Sequence, residues 1–218
     1  MLLRNRLHYA LSYAEALAIV KDKAGLIRID GKVRSDLKYP IGFMDIISIE
    51  RNDEYFRVLF DAKGRFTLVR IDEDDAKTKI CKVSTRALGT NGVPYVVTHD
   101  GRTIRYPHPD IKPNDSIRIN LATNEIEDTV KFEQGSLVMV TGGKNTGRVG
   151  VIFHDEKHEG GFDIVHIRDV HGHTFATRLS YAFVIGHGKQ AVIDLPRGDG
   201  IKSTVLEERA ARISRRRS

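Results

Sequence analysis

Apolar residues recur along the chain at two periods. At the start, Leu3, Leu7, Ala10 and Leu11 share one face of a helix, while Arg4, Arg6 and His8 stay largely outside it. A second helix is predicted over "SYAEALAIVKDKAG", where Ser12 stands three residues before Glu15 at capping-box spacing and Gly25 suits a left-handed stop. From Leu26 onward the period falls to two. Leu26, Ile27 and Ile29 form a short strand, Asp30-Gly31 a turn, and Met44 to Ile49 another strand.

Hairpin signals then dominate. "EYFRVLFDAKGRFTLVRI" turns between Asp61 and Gly64, "PYVVTHDGRTIRYP" at Asp100-Gly101, and "SIRINLATNEIEDTVKF" near Thr123-Asn124. Val138 and Val140 precede a glycine-rich loop and Val149 and Val151 follow it, so a tip of five to seven residues should project from a buried hairpin. "DVHGHTF" is a further hairpin turn. The chain closes on a helix in which Thr204 and Glu207 form a second capping box and the cations lie toward the C-terminus, where the helix dipole favours them. The pattern predicts an α+β chain, mostly β.

Charge refines this only at the ends. The net charge is +6, but lysine plus arginine stand against acids as 8 to 6 in residues 1–50, 21 to 21 in 51–200 and 6 to 2 in 201–218. An anionic partner must therefore meet cations gathered on particular loops, not a uniformly basic surface. "KGRF", "DGRT" and "TGRV" each place an arginine just after a turn glycine, which is either an exposed arginine at a strand start or a guanidinium offered to phosphates at a loop tip. A single cysteine, Cys81, excludes an internal disulfide and any Cys-rich zinc site. No apolar run is long enough to span a bilayer, so no membrane partner is expected.

Candidate chemistry is sparse. In "VTGGKNTGRVGVI" (140–152), Gly142 and Gly147 keep the glycine spacing of a P-loop, but Arg148 and Val149 stand where that motif needs lysine and a Ser or Thr hydroxyl. A strand also follows, where a P-loop opens a helix. Asp72, Glu73, Asp74 and Asp75 are consecutive and do not converge, as a metal or acid–base pair would require. Six of the nine histidines lie between His154 and His187, without the ligand set of a dedicated zinc site. No nucleophile elbow or Ser-His-Asp spacing is present, and His99 has no evident partner to activate it. No enzyme, metal, cofactor or small-molecule substrate is expected.

"GSLVMVTGGKNTGRVGVI" resembles a KOW motif, which opens a small SH3-like barrel in ribosomal proteins and elongation factors. The helix pair with "IRIDGKVRSDLKYPIGFMDIISI" resembles the RNA-binding fold named after bacterial small-subunit ribosomal protein four. With "ICKV", "THDGRTIRYPHP", "FATRLSYAFVIG" and "LPRGDGI" in this order, the chain resembles the S4e family of small-subunit ribosomal proteins over nearly its whole length. The resemblance implies an S4-like module in residues 1–55, a central β domain in 56–132, an SH3-like KOW barrel in 133–186 and a C-terminal extension with a basic helix in 187–218. It implies binding of small-subunit rRNA beside neighbouring small-subunit ribosomal proteins, in the cytoplasm, with nucleolar assembly in a eukaryote.

The resemblance implies rRNA contacts from Arg4, Arg6, Lys32 and Arg34 in the first module and from Lys144, Asn145 and Arg148 in the barrel loop, and Arg102, Arg105, Arg178, Arg215, Arg216 and Arg217 are expected to bind RNA as well. The family normally carries a basic arm before the point at which this sequence begins. Two rivals share parts of the pattern. A pseudouridine synthase uses the same N-terminal fold but needs a catalytic aspartate that "DGRT" does not supply; a translation or transcription factor would use the KOW barrel for protein contacts.

Overall fold

The computed structural model describes residues 1–188 and 190–217, with side chains left out at 211 and 215–217. Among the described residues, sixteen strands form three antiparallel sheets. Sheet one has the order β2-β1-β3-β4-β5, from β1 (Ile27–Ile29), β2 (Lys32–Val33), β3 (Ile46–Ile49), β4 (Glu54–Phe60) and β5 (Phe66–Ile71). Helix α1 (Tyr13–Val20) and a wide helical turn, Leu2–Arg6, cover one of its faces. After the short helix α2 (Glu73–Ala76), sheet two has the order β10-β9-β6-β7-β8. Its strands are β6 (Thr78–Leu88), β7 (Pro94–Thr98), β8 (Thr103–Arg105), β9 (Ser116–Asn120) and β10 (Ile126–Val130).

Sheet three has the order β14-β13-β12-β11-β15-β16. It comprises β11 (Ser136–Val140), β12 (Val149–Glu156), β13 (Ile164–Arg168), β14 (Thr174–Arg178), β15 (Ala182–His187) and β16 (Gln190–Ala191). Helix α3 (Val205–Arg217) ends the chain.

Two strands show how the sheets are welded together. In β3, Ile47 and Ile49 face the core under α1, while Ile46 packs on the other side with Ile71 and Ala76. In β11, Val138 and Val140 fill the interior of sheet three, while Leu137 and Met139 enter a junction with Met44 and Leu59 of the first unit and Ile80 of the second. Strands buried on both faces carry unbroken apolar runs. Each fully buried isoleucine contributes about 1.5–3 kcal/mol by leaving water.

Several boundaries differ from the sequence expectation. The first segment makes only the turn Leu2–Arg6, because His8 takes φ 58° and redirects the chain so that Leu3 and Ala10 are both buried. Helix α1 starts as expected, with Glu15 N–H donating to Ser12 Oγ at 3.2 Å, but ends at Val20. Gly25 is left-handed in the following turn instead, and a Cβ there would sit 3.1 Å from Val33. Sheet one continues to Ile71, and residue 55 lies inside β4, whose pairing with β5 runs from Tyr55 to Phe60. Thr204 and Glu207 do cap α3 reciprocally, at 2.7 and 3.3 Å.

Candidate nucleic-acid interface

The expected projecting tip between β11 and β12 is instead packed down. A Cβ on Gly147 would lie 1.8 Å from the Asp61 carbonyl oxygen, and one on Gly142 would lie 2.7 Å from the Tyr181 ring. The loop glycines thus serve close approach to the β4–β5 turn and to the Tyr181 ring. Apolar burial on both faces of β11 pulls the loop against its neighbours. Lys144 remains exposed, and its carbonyl accepts from Lys202 Nζ at 3.4 Å. Lys63, at the β4–β5 turn, pairs with Glu208 of α3 at 3.0 Å, and Arg65, also exposed, pairs with Asp61 at 3.5 Å.

Four exposed cations, Lys63, Arg65, Lys144 and Lys202, are therefore carried on three segments distant in sequence and gathered by the docking of the loop on the turn. Lys63 and Lys202 were missed as sites. "KGRF" already flagged Arg65, but nothing local to Lys63 or Lys202 marks their approach to Lys144.

The other expected contacts divide by whether their charge is free. Arg4, Arg6, Lys32, Arg105 and Arg178 are exposed. Arg4 and Arg34 line one groove with Leu37 and Tyr39, and Arg34 stacks 4.3 Å from the Tyr39 ring centre. Lys32, Arg34 and Arg102 line a second cleft, which also holds His99 and Asn124. Arg148 is held internally: its guanidinium lies 3.7 Å from the Phe175 ring centre, 3.5 Å from Asp169 and 3.4 Å from Asn145 Oδ1. Asn145 also donates to the Ala176 carbonyl at 3.3 Å. The side chains of Arg215, Arg216 and Arg217 lie outside the described residues.

Arg102 belongs to a buried ionic cluster that the sequence did not reveal. Lys79 Nζ lies 2.7 Å from Asp30, 2.7 Å from Asp45 and 3.3 Å from Asp100, and its side chain has 0% exposure. Arg102 reaches Asp100 at 2.8 Å and Asp30 at 3.1 Å, and the Thr98 hydroxyl donates to Asp100. Burial alone would lower the Lys79 ammonium, but Asp30 and Asp45 outweigh it and hold it above its ordinary value. Burial alone would raise the Asp100 carboxyl, yet Thr98, Lys79 and Arg102 keep it well below the usual carboxylate range.

Three residues later, Lys82 donates to the carbonyls of Leu179, Ser180 and Ala182 at 3.2, 3.1 and 2.8 Å. Burial pushes its ammonium down to about 8. One strand, β6, thus clasps sheet one through Lys79 and sheet three through Lys82.

The cluster also answers the metal question locally. Among the described residues, Cys81, His99 and Asp100 bring ligand atoms within 4.8 Å of one another. Lys79 and Arg102 occupy the Asp100 oxygens, and burial raises the Cys81 thiol far above its ordinary range. A cation there would meet two fixed positive charges, so the arrangement is an ion-pair network. Asp72 to Asp75 are exposed, as a solvated face should be.

Known proteins share both the sequence and the fold. Residues 52–126 match the ribosomal family S4e model, and residues 169–216 match the 40S ribosomal protein S4 C-terminus model. Small ribosomal subunit protein eS4 of Bombyx mori is 59% identical over 212 residues, covering 97% of this chain and 80% of that protein. That of Ixodes scapularis is 56% identical over 213 residues, covering 98% of this chain and 80% of that protein. The crystal structure of the 30S ribosomal protein S4e from Thermoplasma acidophilum superposes with a TM-score of 0.69 at 30% identity, covering 84% of this chain and 92% of that one. The chain belongs to the ribosomal S4e family, whose members are structural, non-enzymatic constituents of the small ribosomal subunit.

Proposed function

We propose that this chain grips folded small-subunit rRNA by its phosphate backbone, using cations that the packing of its three sheets brings together. The carrying observation is the convergence of Lys63, Arg65, Lys144 and Lys202 from the β4–β5 turn, the barrel loop and the segment before α3. Arg4, Arg6, Lys32, Arg34, Arg105 and Arg178 extend the same contact over the remaining modules, and Asn145, Arg102 and Arg148 hold the loops that present it. The modules act as an S4-like unit, a central β domain and a KOW-type barrel, with the first unit extended to the end of β5. Such backbone contacts position the protein on RNA shape and carry little base specificity. The place of action is the cytoplasmic ribosome, with nucleolar assembly and neighbouring small-subunit proteins as partners.

Replacing Lys63 and Lys144 together with alanine should flatten the dependence of log affinity on log salt by up to about two contacts' worth, near 0.9 per phosphate. The measurement is binding to small-subunit rRNA fragments across a salt series. A slope equal to that of the unaltered protein removes this surface from the interface.

A further inference from the structure

The outer face of sheet three is only half covered. Leu137, Met139, Val149, Phe183 and Ile185 are buried against the rest of the molecule. Toward β14 the same face meets solvent, and there it carries planar side chains. Register places His154 opposite His166, and His166 opposite Ala176, on that free half. The pairing of β12 with β13 shifts between Ile152 and His154, a bulge that puts Phe153 on the solvent side with 38% exposure. Its ring centre lies 5.8 Å from that of His166 and 5.0 Å from the Arg168 guanidinium. Phe162 is 64% exposed, and Arg178 stacks 3.8 Å from its ring centre.

We infer that this half-face is a stacking platform for unpaired nucleobases. His166 and Arg168 are alternate residues of β13, roughly 7 Å apart, and Phe162 stands at the entry to the strand, four residues before His166. An extended strand of RNA can lay successive bases on such a row, stacking on aromatic rings and guanidinium planes. Geometry favours bases over phosphates here: both guanidinium groups of the half-face already lie on rings, Arg168 5.0 Å from Phe153 and Arg178 3.8 Å from Phe162, and a carboxylate, Glu156, stands among its imidazoles. A backbone track would meet that carboxylate, whereas the exposed π-faces stay open to bases. Glu156 sits amid the imidazoles, 3.0 Å from His166 Nε2, 3.4 Å from His158 and 3.9 Å from His154. It keeps the histidine rings grouped beside Phe153.

The inference rests on the rRNA reading, so its test separates the two. Chains of residues 1–218 carrying Phe153→Ala, Phe162→Ala or both, and Phe162→Leu as an apolar control without a π-system, are titrated with a short unstructured RNA of mixed sequence and with its duplex. Each ring lost should weaken single-strand binding about tenfold, spare the duplex and leave the salt slope unchanged. Phe162→Leu should behave like Phe162→Ala, and both should melt like the unaltered chain.

Unchanged single-strand affinity in the double variant, with the Lys63 and Lys144 replacements still flattening the slope, overturns the platform and spares the rRNA reading. A chain that binds neither RNA at low salt sinks both. Normal RNA binding with poor incorporation into small subunits assigns the face to a protein and also overturns the proposal.

Discussion

Lys79 has no solvent-exposed side-chain surface, yet three carboxylates meet its ammonium. Removing one partner from such a cluster is far costlier than removing a surface ion pair, because buried charges are left unpaired. Lys79→Met should lower stability by about 3–5 kcal/mol, read as a drop in the urea midpoint. The same cluster sets acid behaviour. The folded Asp100 carboxyl lies below its unfolded value of about 3.9, so its stabilisation is complete above that pH and is lost as pH falls toward the folded value. Asp100→Asn should flatten the acid limb of stability against pH.

Lys82 has the opposite sign. Its folded value of about 8 lies below the unfolded value near 10.4, so the unfolded chain binds more protons between them and stability from this group rises with pH. Lys82→Met should abolish that alkaline gain in denaturant titrations from pH 8 to about 10.5.

At the scale of the element, the β11–β12 loop and the β7–β8 turn offer a controlled comparison. Gly147 and Gly101 share nearly the same left-handed backbone, φ 82° and 81°, but a Cβ on Gly101 meets nothing within 4 Å. Gly101→Ala should cost about 1 kcal/mol of backbone strain. Gly147→Ala must also displace the Asp61 carbonyl, so its melting temperature should fall several degrees further.

Such turns were legible in the sequence because their signals are local. Asp61 to Gly64, Asp100-Gly101 and "DVHGHTF" all sit at hairpin ends. Packing that depends on distant segments was not legible: the loop around Lys144 resembles a free tip until the β4–β5 turn lies against it. Nor were the clasps, since a lysine in a strand resembles a solvent-facing residue. One signal was available in "TKICKV". Lys79 and Lys82 are three apart, on opposite faces of a strand that also carries Ile80, Cys81 and Val83, so both faces had to be buried.

Across the whole molecule, β6 is the member common to both clasps, and its two lysines are separable handles. Lys79→Met should speed amide exchange in sheet one more than in sheet three, and Lys82→Met should do the reverse. Equal effects of the two replacements on both sheets would show that the molecule opens only as one unit. The clasps also impose an order in time. Asp30 and Asp45 leave a translating ribosome 49 and 34 residues ahead of Lys79, whereas the carbonyls that receive Lys82 follow it by 97 to 100 residues. At roughly 5–20 residues per second, Lys82 waits on the order of 5–20 s for its acceptors. The nascent chain can close its first clasp early and hold an unfinished second one, open to water, until the barrel arrives.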